Sequence, residues 1–242
     1  MSNVVVIIQA RMGSTRLPGK IMRSILGKTI LIHDLERIKR MKTINGIVVA
    51  TTILDEDDII VDSVKNYDKT IGIYRGSQEN VLERYYEAAM EFKTDIIVRI
   101  TSDCPLIDPT ISDLVVETFL ENQCDYCCNN MPRTYPHGLD TEVFSFEALE
   151  KAWREAKATF EKEHVTEYII NNPDNFRLLN VSNDKILNNL RWTLDYLEDF
   201  TFIKEIYMRL YMKKKFFNMN DILELINNEP NLTEINKKYV IN

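Results

Sequence analysis

The segment from Gln9 to Lys20 has the composition of a binding site for a polyphosphate. It follows an apolar run, Val4–Ile8, that is typical of a buried parallel strand, and ligands of open α/β sheets bind at the carboxyl ends of such strands. Glycines, hydroxyl groups and three cations (Arg11, Arg16 and Lys20) share this loop. No Asp or Glu occurs in the first 33 residues to pair with them. The pattern therefore indicates a site for an anion.

The loop differs from a Walker A phosphate-binding loop in two respects. In that motif four residues separate the glycines, and a Ser or Thr that ligates magnesium follows the lysine. Here five residues separate Gly13 from Gly19, and Ile21 follows Lys20. Because isoleucine cannot bind a metal and Pro18 lacks a backbone N–H donor, magnesium ligands must come from another part of the chain. A surface loop without a ligand is the alternative interpretation, which the unpaired cations disfavour.

Two aspartates meet the requirement for such ligands. Asp103 follows the apolar run Ile96–Ile100, and Asp195 follows Leu190–Thr193, so each is expected at the carboxyl end of a strand. Carboxylates from two strand ends form a hard oxygen site, and Mg²⁺ prefers one or two carboxylates together with phosphates and water. The sequence therefore predicts Mg²⁺ at Asp103 and Asp195. The alternative is that each aspartate is an exposed residue or a helix cap.

The elements that must position these residues alternate between strands and helices. In the first half, strands are predicted at Val4–Ile8, Gly46–Thr51, Thr70–Tyr74, Asp95–Ile100 and Asp125–Asn129, with helices near Thr29–Met41, Asp57–Tyr67, Glu79–Phe92 and Thr110–Glu121. In the less regular second half, strands are predicted at Thr141–Ser145, Phe176–Val181 and Leu190–Thr193, with helices over Phe146–Ala158, Lys162–Asn171, Tyr196–Met212 and Asn220–Asn227. Such alternation predicts one α/β domain over residues 1–242, with a mainly parallel sheet and helices on both faces.

Composition limits the class of protein. The chain has 242 residues, 45% of them hydrophobic, which is enough for one sizeable core. No apolar run reaches the roughly 18–20 residues of a membrane helix, and no signal peptide is apparent, so a cytoplasmic protein without a membrane partner is expected. The net charge of −7 disfavours a polymeric nucleic acid as partner, because such a partner requires a broad basic face. A small anion suits the local basic loop.

The four cysteines leave two interpretations open. Cys124 and Cys127 have the spacing of half a zinc site, which Cys104 and His137 would have to complete. Alternatively, the segment Asp125–Cys128 is a strand whose thiols pack as small apolar groups in a reducing cytosol.

Several further motifs occur in the order and spacing of one enzyme family. They are Tyr74–Ser77, Asn80–Tyr85, Arg99–Asp108, His137–Asp140, Glu163–Thr166 and Trp192–Asp195. From Val4 to about Phe202 the chain resembles the cytidylyltransferases that activate acidic sugars, the acylneuraminate and 3-deoxy-manno-octulosonate enzymes, and in particular their spore coat polysaccharide biosynthesis protein F branch. The resemblance implies a Rossmann-like, three-layer nucleotide-diphospho-sugar transferase fold and a homodimer.

The resemblance also implies roles for individual residues. Lys20, Arg11, Arg16 and Asp103 would act in catalysis, and Asp103 and Asp195 would hold Mg²⁺. Nucleotide binding is expected from Gln9, Ala10, Arg11, Gly13, Ser14, Thr15, Arg16, Lys20, Arg75, Ser77, Asn80 and Ser102, of which Arg75, Ser77 and Asn80 lie where the family reads cytosine. Acceptor binding is expected from His137, Asp140, Glu142 and His164. For His164, a structural role at the start of a helix is the alternative.

The expected reaction is Mg²⁺-dependent transfer of CMP from CTP to an acidic sugar or related small acid, with release of pyrophosphate. The cations would offset the repulsion between a tetra-anionic triphosphate and an anionic acceptor oxygen. Two alternatives stay open. A nucleotide-sugar glycosyltransferase would use an Asp-x-Asp motif such as Asp55–Asp57, which is predicted at a surface helix start. A non-catalytic subunit of a polysaccharide assembly would bind nucleotide without turning it over.

Overall fold

The computed structural model describes residues 2–240, which lie around a central seven-stranded sheet. The strands are β1 (Val4–Gln9), β2 (Ser24–Ile25), β3 (Lys28–Thr29), β4 (Gly46–Thr52), β5 (Gly72–Gly76), β6 (Ile96–Thr101), β7 (Tyr126–Cys128), β8 (Glu142–Ser145) and β9 (Leu178–Asn180). The helices are α1 (Ile30–Ile38), α2 (Asp58–Tyr67), α3 (Val81–Glu91), α4 (Pro109–Glu121), α5 (Phe146–Glu155), α6 (Thr159–Glu163), α7 (Glu167–Ile170), α8 (Leu197–Leu210), α9 (Met219–Asn228) and α10 (Asn231–Glu234).

The sheet is mainly parallel, as predicted. Its strand order is β5-β4-β1-β6-β8-β7-β9, and β8 alone runs antiparallel to its neighbours β6 and β7. Strand β1 lies between β4 and β6 and pairs with both in parallel, which explains why its side chains are apolar on both faces. The two remaining strands, β2 and β3, form a small antiparallel hairpin directly after the basic loop.

Helices cover both faces of the sheet. Val4, Val6 and Ile8 of β1 pack on one face with residues of α1, α2 and α4, while Val5 and Ile7 pack on the other with residues of α3 and α5. This division follows from the two-residue period of a strand, which sends successive side chains to opposite faces. The predicted three-layer α/β fold is therefore confirmed.

A third apolar cluster joins the C-terminal helices to the basic loop. Residues of α8, α9 and α10 pack there with Leu17 of the loop, Ile25 of β2 and the fully buried Trp192. The loop is thus anchored at its base by parts of the chain that are distant in sequence.

The predicted strand at Leu190–Thr193 is wrong. In this segment Arg191 makes only an isolated bridge to His137, and the backbone bonds to a loop instead of a sheet. His137 N donates to Leu190 O at 2.9 Å, and Trp192 N donates to His137 O at 2.6 Å. The apolar pattern that suggested a strand reflects burial of Trp192 and Leu194 in the third cluster.

Two predicted helices are shorter than expected. The helix expected over Phe146–Ala158 ends at Glu155, and the one expected over Lys162–Asn171 is divided into α6 and α7. His164 lies at the C-terminal end of α6 and also precedes α7, whose first residue, Glu167, donates its N–H to His164 O at 2.8 Å. The division places His164 between two helices, where its backbone N–H still bonds to Phe160 O at 3.0 Å.

The cysteines of β7 pack as apolar groups. Cys127 belongs to the core on one face of the sheet and Cys128 to the core on the other, as expected for neighbours in a strand. Across residues 2–240, no three His, Cys, Asp or Glu side chains converge as a metal site, so the zinc interpretation lacks support.

Within residues 2–240, no helix has both the length and the apolar character needed to span a membrane. The predicted single domain includes residues 1, 241 and 242, which lie outside the described range. The single domain and the homodimer both stay predictions.

Gly138 is the tightest point of the contact between the His137 loop and the segment before Asp195. Its φ is +112°, and an added Cβ would lie 2.6 Å from both Thr193 N and the Trp192 carbonyl carbon. Gly27 also has positive φ, +78°, but an added Cβ would meet nothing within 4 Å.

We therefore expect Gly138→Ala to lower the free energy of unfolding by about 2–6 kcal/mol, the sum of backbone strain and overpacking. Gly27→Ala, the matched control, should lower it by only about 1–2 kcal/mol, because strain alone acts there. Urea denaturation of the two variants measures the difference. Equal losses would show that the close approach at Gly138 is unimportant.

Candidate functional site

A cleft of about 430 Å³ lies at the carboxyl ends of β1 and β6. The basic loop forms one wall, and the segment after β6 forms another. Most of the predicted nucleotide-binding and catalytic residues line this cleft, namely Gln9, Ala10, Arg11, Ser14, Thr15, Arg16, Lys20, Ser102 and Asp103. Gly13 belongs to the same loop but does not line the cleft. The structure therefore brings these residues together at one cleft, and their roles stay predictions.

Lys20 joins the two predicted metal ligands. Its Nζ donates to Asp103 Oδ2 at 2.7 Å, to Asp195 Oδ1 at 3.0 Å and to Leu194 O at 2.7 Å. Arg16 adds a second cation, which donates to Asp195 Oδ1 at 2.5 Å. One ammonium group thus lies between two carboxylates that are far apart in sequence.

The backbones that carry the two aspartates are also bonded to each other. Leu194 N donates to Asp103 O at 2.8 Å, and Thr193 Oγ1 donates to the same oxygen at 3.2 Å. Asp195 is therefore brought to the end of β6 by a loop, although the sequence predicted that a strand would do this.

Asp199 holds Asp195 in place, and the sequence analysis did not identify it. Asp199 is completely buried, and its Oδ2 accepts from the backbone N–H of Asp195 at 2.9 Å and of Tyr196 at 3.0 Å. Arg191 bridges the two acids, since its NH2 lies 3.0 Å from Asp195 Oδ2 and 3.0 Å from Asp199 Oδ2. An acid in the first turn of α8, three residues after the N-cap Tyr196, is the sequence signal for this role.

The charges of this cluster hold one another in the ionised state. Burial alone would raise the pKa of Asp195, but Lys20, Arg16 and Arg191 lower it to about 2. Burial likewise opposes ionisation of Asp103, whose pKa is nevertheless lowered by Lys20. Burial would lower the pKa of Lys20, and the two aspartates raise it instead. The cluster is thus fully charged at neutral pH.

A buried aspartate fixes the start of the basic loop. Asp57 is completely buried, its Oδ1 accepts from Met12 N at 2.7 Å, and its Oδ2 accepts from the backbone and hydroxyl of Thr52. The prediction that the Asp55–Asp57 motif lies on the surface is therefore wrong for its last member. Asp57 is buried, and neither it nor Asp55 lines the cleft, so this motif does not offer a carboxylate pair to a metal there.

Arg84 is a second residue that the sequence analysis did not assign. It lines the cleft from α3, is only 1% exposed, and makes one hydrogen bond, from NH1 to Ser77 O at 2.7 Å. Its Nε has no partner, and no carboxylate of residues 2–240 forms an ion pair with it. Burial lowers the pKa of Arg84, and nearby Arg11 lowers it further. A buried arginine without a counter-charge is costly unless a ligand supplies one.

The signal for Arg84 was present in the sequence. It occupies the same helical face as Val81, Tyr85 and Ala88, which are buried. A charged residue within an apolar stripe of a helix next to a ligand loop points to a role in that site.

The three residues predicted to read the base do not line the cleft. Arg75 bonds to Thr52 O at 2.8 Å, to Leu54 O at 2.8 Å and to Asp58 Oδ1 at 2.5 Å, so it holds the segment after β4. Asn80 caps α3 by accepting from Glu83 N at 3.1 Å, and Ser77 Oγ accepts from Asn80 N at 3.0 Å. Ser77 and Asn80 lie beside Arg84, whereas Arg75 is turned away from the cleft.

The four predicted acceptor residues occupy three different environments. His164 lines the cleft beside Glu163. His137 lines a neighbouring cavity of about 280 Å³ with Arg133 and Arg191, and Asp140 pairs with Arg133. Glu142 is buried, where it pairs with Arg99 and accepts from Tyr126 Oη and Thr166 Oγ1, both at 2.7 Å. The structure thus brings only His164 of these four to the cleft.

Asp103 and Asp195 are the residues that could hold a divalent cation. The position of Lys20 Nζ shows that their carboxylates and the Leu194 carbonyl already converge on one cationic group. All of these donors are oxygens, the type that Mg²⁺ requires. Their number is below six, which leaves coordination positions for phosphate oxygens and water.

Comparison with known proteins identifies the family of this chain. The profile of the cytidylyltransferase family matches residues 5–231. The spore coat polysaccharide biosynthesis protein SpsF of Bacillus subtilis is 31% identical over 242 aligned positions, which cover 95% of this chain and 96% of that protein.

Solved structures agree as well. A cytidylyltransferase from Leptospira borgpetersenii has 36% identity and a TM-score of 0.91, with 96% of this chain and 97% of that one covered. The CTP complex of CMP:2-keto-3-deoxy-manno-octonic acid synthetase shares the fold with a TM-score of 0.66 at 16% identity, over 86% of this chain and 99% of that one. The chain therefore belongs to the cytidylyltransferase family.

Proposed function

We propose that the protein transfers CMP from CTP to an acidic sugar or a related small acid, releases pyrophosphate and requires Mg²⁺. The observation that carries this proposal is Lys20, whose ammonium lies between Asp103 and Asp195 at the floor of a basic cleft. Membership of the cytidylyltransferase family supports the reaction type. The relatives named above support an acidic sugar and glycan synthesis.

The charge of the cleft suits a triphosphate. Lys20, Arg16 and Arg191 are matched by Asp103, Asp195 and Asp199, whereas Arg11 and Arg84 have no paired carboxylate. Glu163 also lines the cleft without an ion pair to any described residue, so these two cations leave an excess of one positive charge. The Arg16 side chain is 54% exposed and lies over the Tyr196 ring, so it can turn toward an anion without unfolding its surroundings.

Catalysis of this reaction requires that the protein position the two substrates and compensate the negative charge of the phosphates. An acceptor oxygen attacks the α-phosphorus of CTP, a new P–O ester bond forms, and the bond to the β-phosphate bridging oxygen breaks to release pyrophosphate. Arg11, Arg16 and Lys20 stabilise the charge that develops on the leaving group. When Mg²⁺ is bound by Asp103 and Asp195, it supplies Lewis acid catalysis and orients the phosphates. A covalent nucleophile on the protein is not needed.

The nucleotide base would lie near the start of α3. Arg84 has free N–H donors there, and a cytosine offers the acceptors O2 and N3. The Ser77 carbonyl, which accepts from Arg84, fixes the direction of the guanidinium. We therefore assign to Arg84 the contact that the sequence had suggested for Arg75.

The acceptor would enter beside His164 and Glu163. His164 packs its ring against Phe160, with 5.0 Å between centroids, which orients the imidazole. His137 and Arg133 line another cavity, which shares no lining residue with the cleft, and provide further polar groups for an acid. The glycosyltransferase alternative is disfavoured because neither Asp55 nor Asp57 lines the cleft.

The proposal is tested by incubating the protein with Mg²⁺, a panel of acidic sugars and each of the four ribonucleoside triphosphates, and measuring pyrophosphate. We expect release with CTP and loss of release when EDTA removes the metal. Turnover with another triphosphate but not CTP would overturn the base assignment. Tight CTP binding without turnover for any acceptor would favour the non-catalytic alternative.

Asp103→Asn should lower kcat/KM by at least about a hundredfold, because it removes one of two carboxylates from the reacting phosphates. Circular dichroism should show an intact fold. Asp184→Asn, an exposed acid outside the cleft, is the matched control and should leave the rate unchanged. Near-normal activity of Asp103→Asn would contradict the role of this aspartate.

Stability should respond in opposite ways to replacement of the buried Arg84 and of the partly buried Arg99. Arg84→Met should raise KM for CTP at least about tenfold while leaving the free energy of unfolding unchanged or raised, because an unpaired buried charge is removed. Arg99→Met breaks a buried pair with Glu142 and should lower that free energy by about 3–5 kcal/mol. Steady-state kinetics and urea denaturation measure both. If Arg84→Met is as unstable as Arg99→Met and keeps its KM, Arg84 is structural.

A further inference from the structure

A second cavity, separate from the cleft, lies between α1, the end of α2 and the end of α8. Its volume is about 380 Å³, and it shares no lining residue with the cleft. Cations and aromatic rings dominate its lining: Lys28, Arg37, Lys39, Arg40 and Lys215 provide five positive charges, against one carboxylate, Glu36. We call this the α1–α8 cavity.

Most of this positive charge lacks a counter-charge. Lys28 pairs with Glu36, and Lys39 pairs with Asp68. Arg37, Arg40 and Lys215 form no ion pair within residues 2–240. Three uncompensated cations at one cavity are unusual in a protein whose net charge is −7, because they repel one another. The local excess indicates a binding site for an anion of more than one charge.

The three unpaired cations differ in the exposure and hydrogen bonding of their side chains. Arg37 is 4% exposed, and it donates to the carbonyl oxygens of Ile107 at 2.5 Å and Phe217 at 2.8 Å, so it is fixed. Arg40 and Lys215 are exposed, and neither donates a side-chain hydrogen bond to another described residue. Arg40 lies over the Phe216 ring, 4.3 Å from its centroid, a contact that limits its motion. These two side chains are the ones available to a ligand.

Neutral groups in the α1–α8 cavity complete a polar and aromatic wall. Lys28 Nζ donates to Tyr211 Oη at 3.0 Å, which leaves the Tyr211 hydroxyl hydrogen free to be donated. The buried His33 bonds through Nε2 to Ile25 O at 2.8 Å; since a carbonyl only accepts, Nδ1 is left as an acceptor. The rings of Tyr67 and Tyr211 add apolar area. A ligand with a ring and hydroxyl groups suits this wall better than a bare ion.

We propose that the α1–α8 cavity binds a small phosphorylated compound, whose phosphate is held by Arg40 and Lys215 in the field of Arg37. The phosphate matches the uncompensated charge, and the Tyr211 hydroxyl and His33 Nδ1 match polar groups on the rest of the molecule. This site does not depend on the proposed transferase reaction, because it shares no residue with the cleft.

Calorimetric titration of the full chain with inorganic pyrophosphate tests the proposal. The wild-type protein should show two binding events, one in the cleft and one in the α1–α8 cavity. Lys20→Ala should weaken the first and keep the second. Arg40→Gln/Lys215→Gln should weaken the second at least tenfold and keep the first. Lys185→Gln/Lys204→Gln, which removes two exposed and unpaired lysines elsewhere, is the matched control and should bind as the wild type does.

Two results would overturn the proposal. One is a single event in the wild-type protein that Lys20→Ala abolishes. The other is an unchanged second event in Arg40→Gln/Lys215→Gln. Amide NMR of Lys20→Ala gives an independent readout, in which pyrophosphate should shift the resonances of Arg40 and Tyr211. Absence of pyrophosphate release in the transferase assay would leave these outcomes unaffected, so the two proposals fail separately.

Discussion

The ammonium of Lys20 between two carboxylates is the interaction on which the rest of the site depends. Asp103 and Asp195 come from segments that are far apart in sequence, and two carboxylates brought together would repel each other. Lys20 compensates this repulsion, at 2.7 and 3.0 Å, and Arg16 and Arg191 support it. The same ammonium lies where the proposed triphosphate and metal ion would bind. The ion pairs of Lys20 therefore describe the site in the absence of these two ligands.

The segment from Arg191 to Asp199 positions Asp195 in that cluster. Asp199 and Arg191 fix the start of α8, and the completely buried Trp192 anchors the preceding loop. The contact of this loop with Gly138 then sets its distance from the sheet. In the same way, the buried Asp57 fixes Met12 at the start of the basic loop. Buried polar groups thus hold Asp195 and the start of the basic loop in place.

Local pattern was sufficient to predict the sheet, its flanking helices and the basic loop, because apolar periodicity and strand-end position are properties of short segments. Asp103 followed from the same rule, since it comes directly after β6. The sequence pattern gave a wrong prediction where contacts between distant parts of the chain determine the local structure. Leu190–Thr193 has the composition of a strand but bonds to a loop. The predicted base contact of Arg75 is untested, although its side chain bonds to Thr52 and Leu54 in this structure. Arg84 and Asp199 were missed although their positions, in an apolar stripe of α3 and in the first turn of α8, carried a signal; the spacing does not show that both side chains are buried.

A crystal structure with CTP and Mg²⁺ tests the central claim most directly. The account predicts a triphosphate bound along the basic loop, within hydrogen-bonding distance of Lys20, with the metal ion ligated by both Asp103 and Asp195. A triphosphate bound outside the cleft, or a metal ion that neither aspartate ligates, would contradict it.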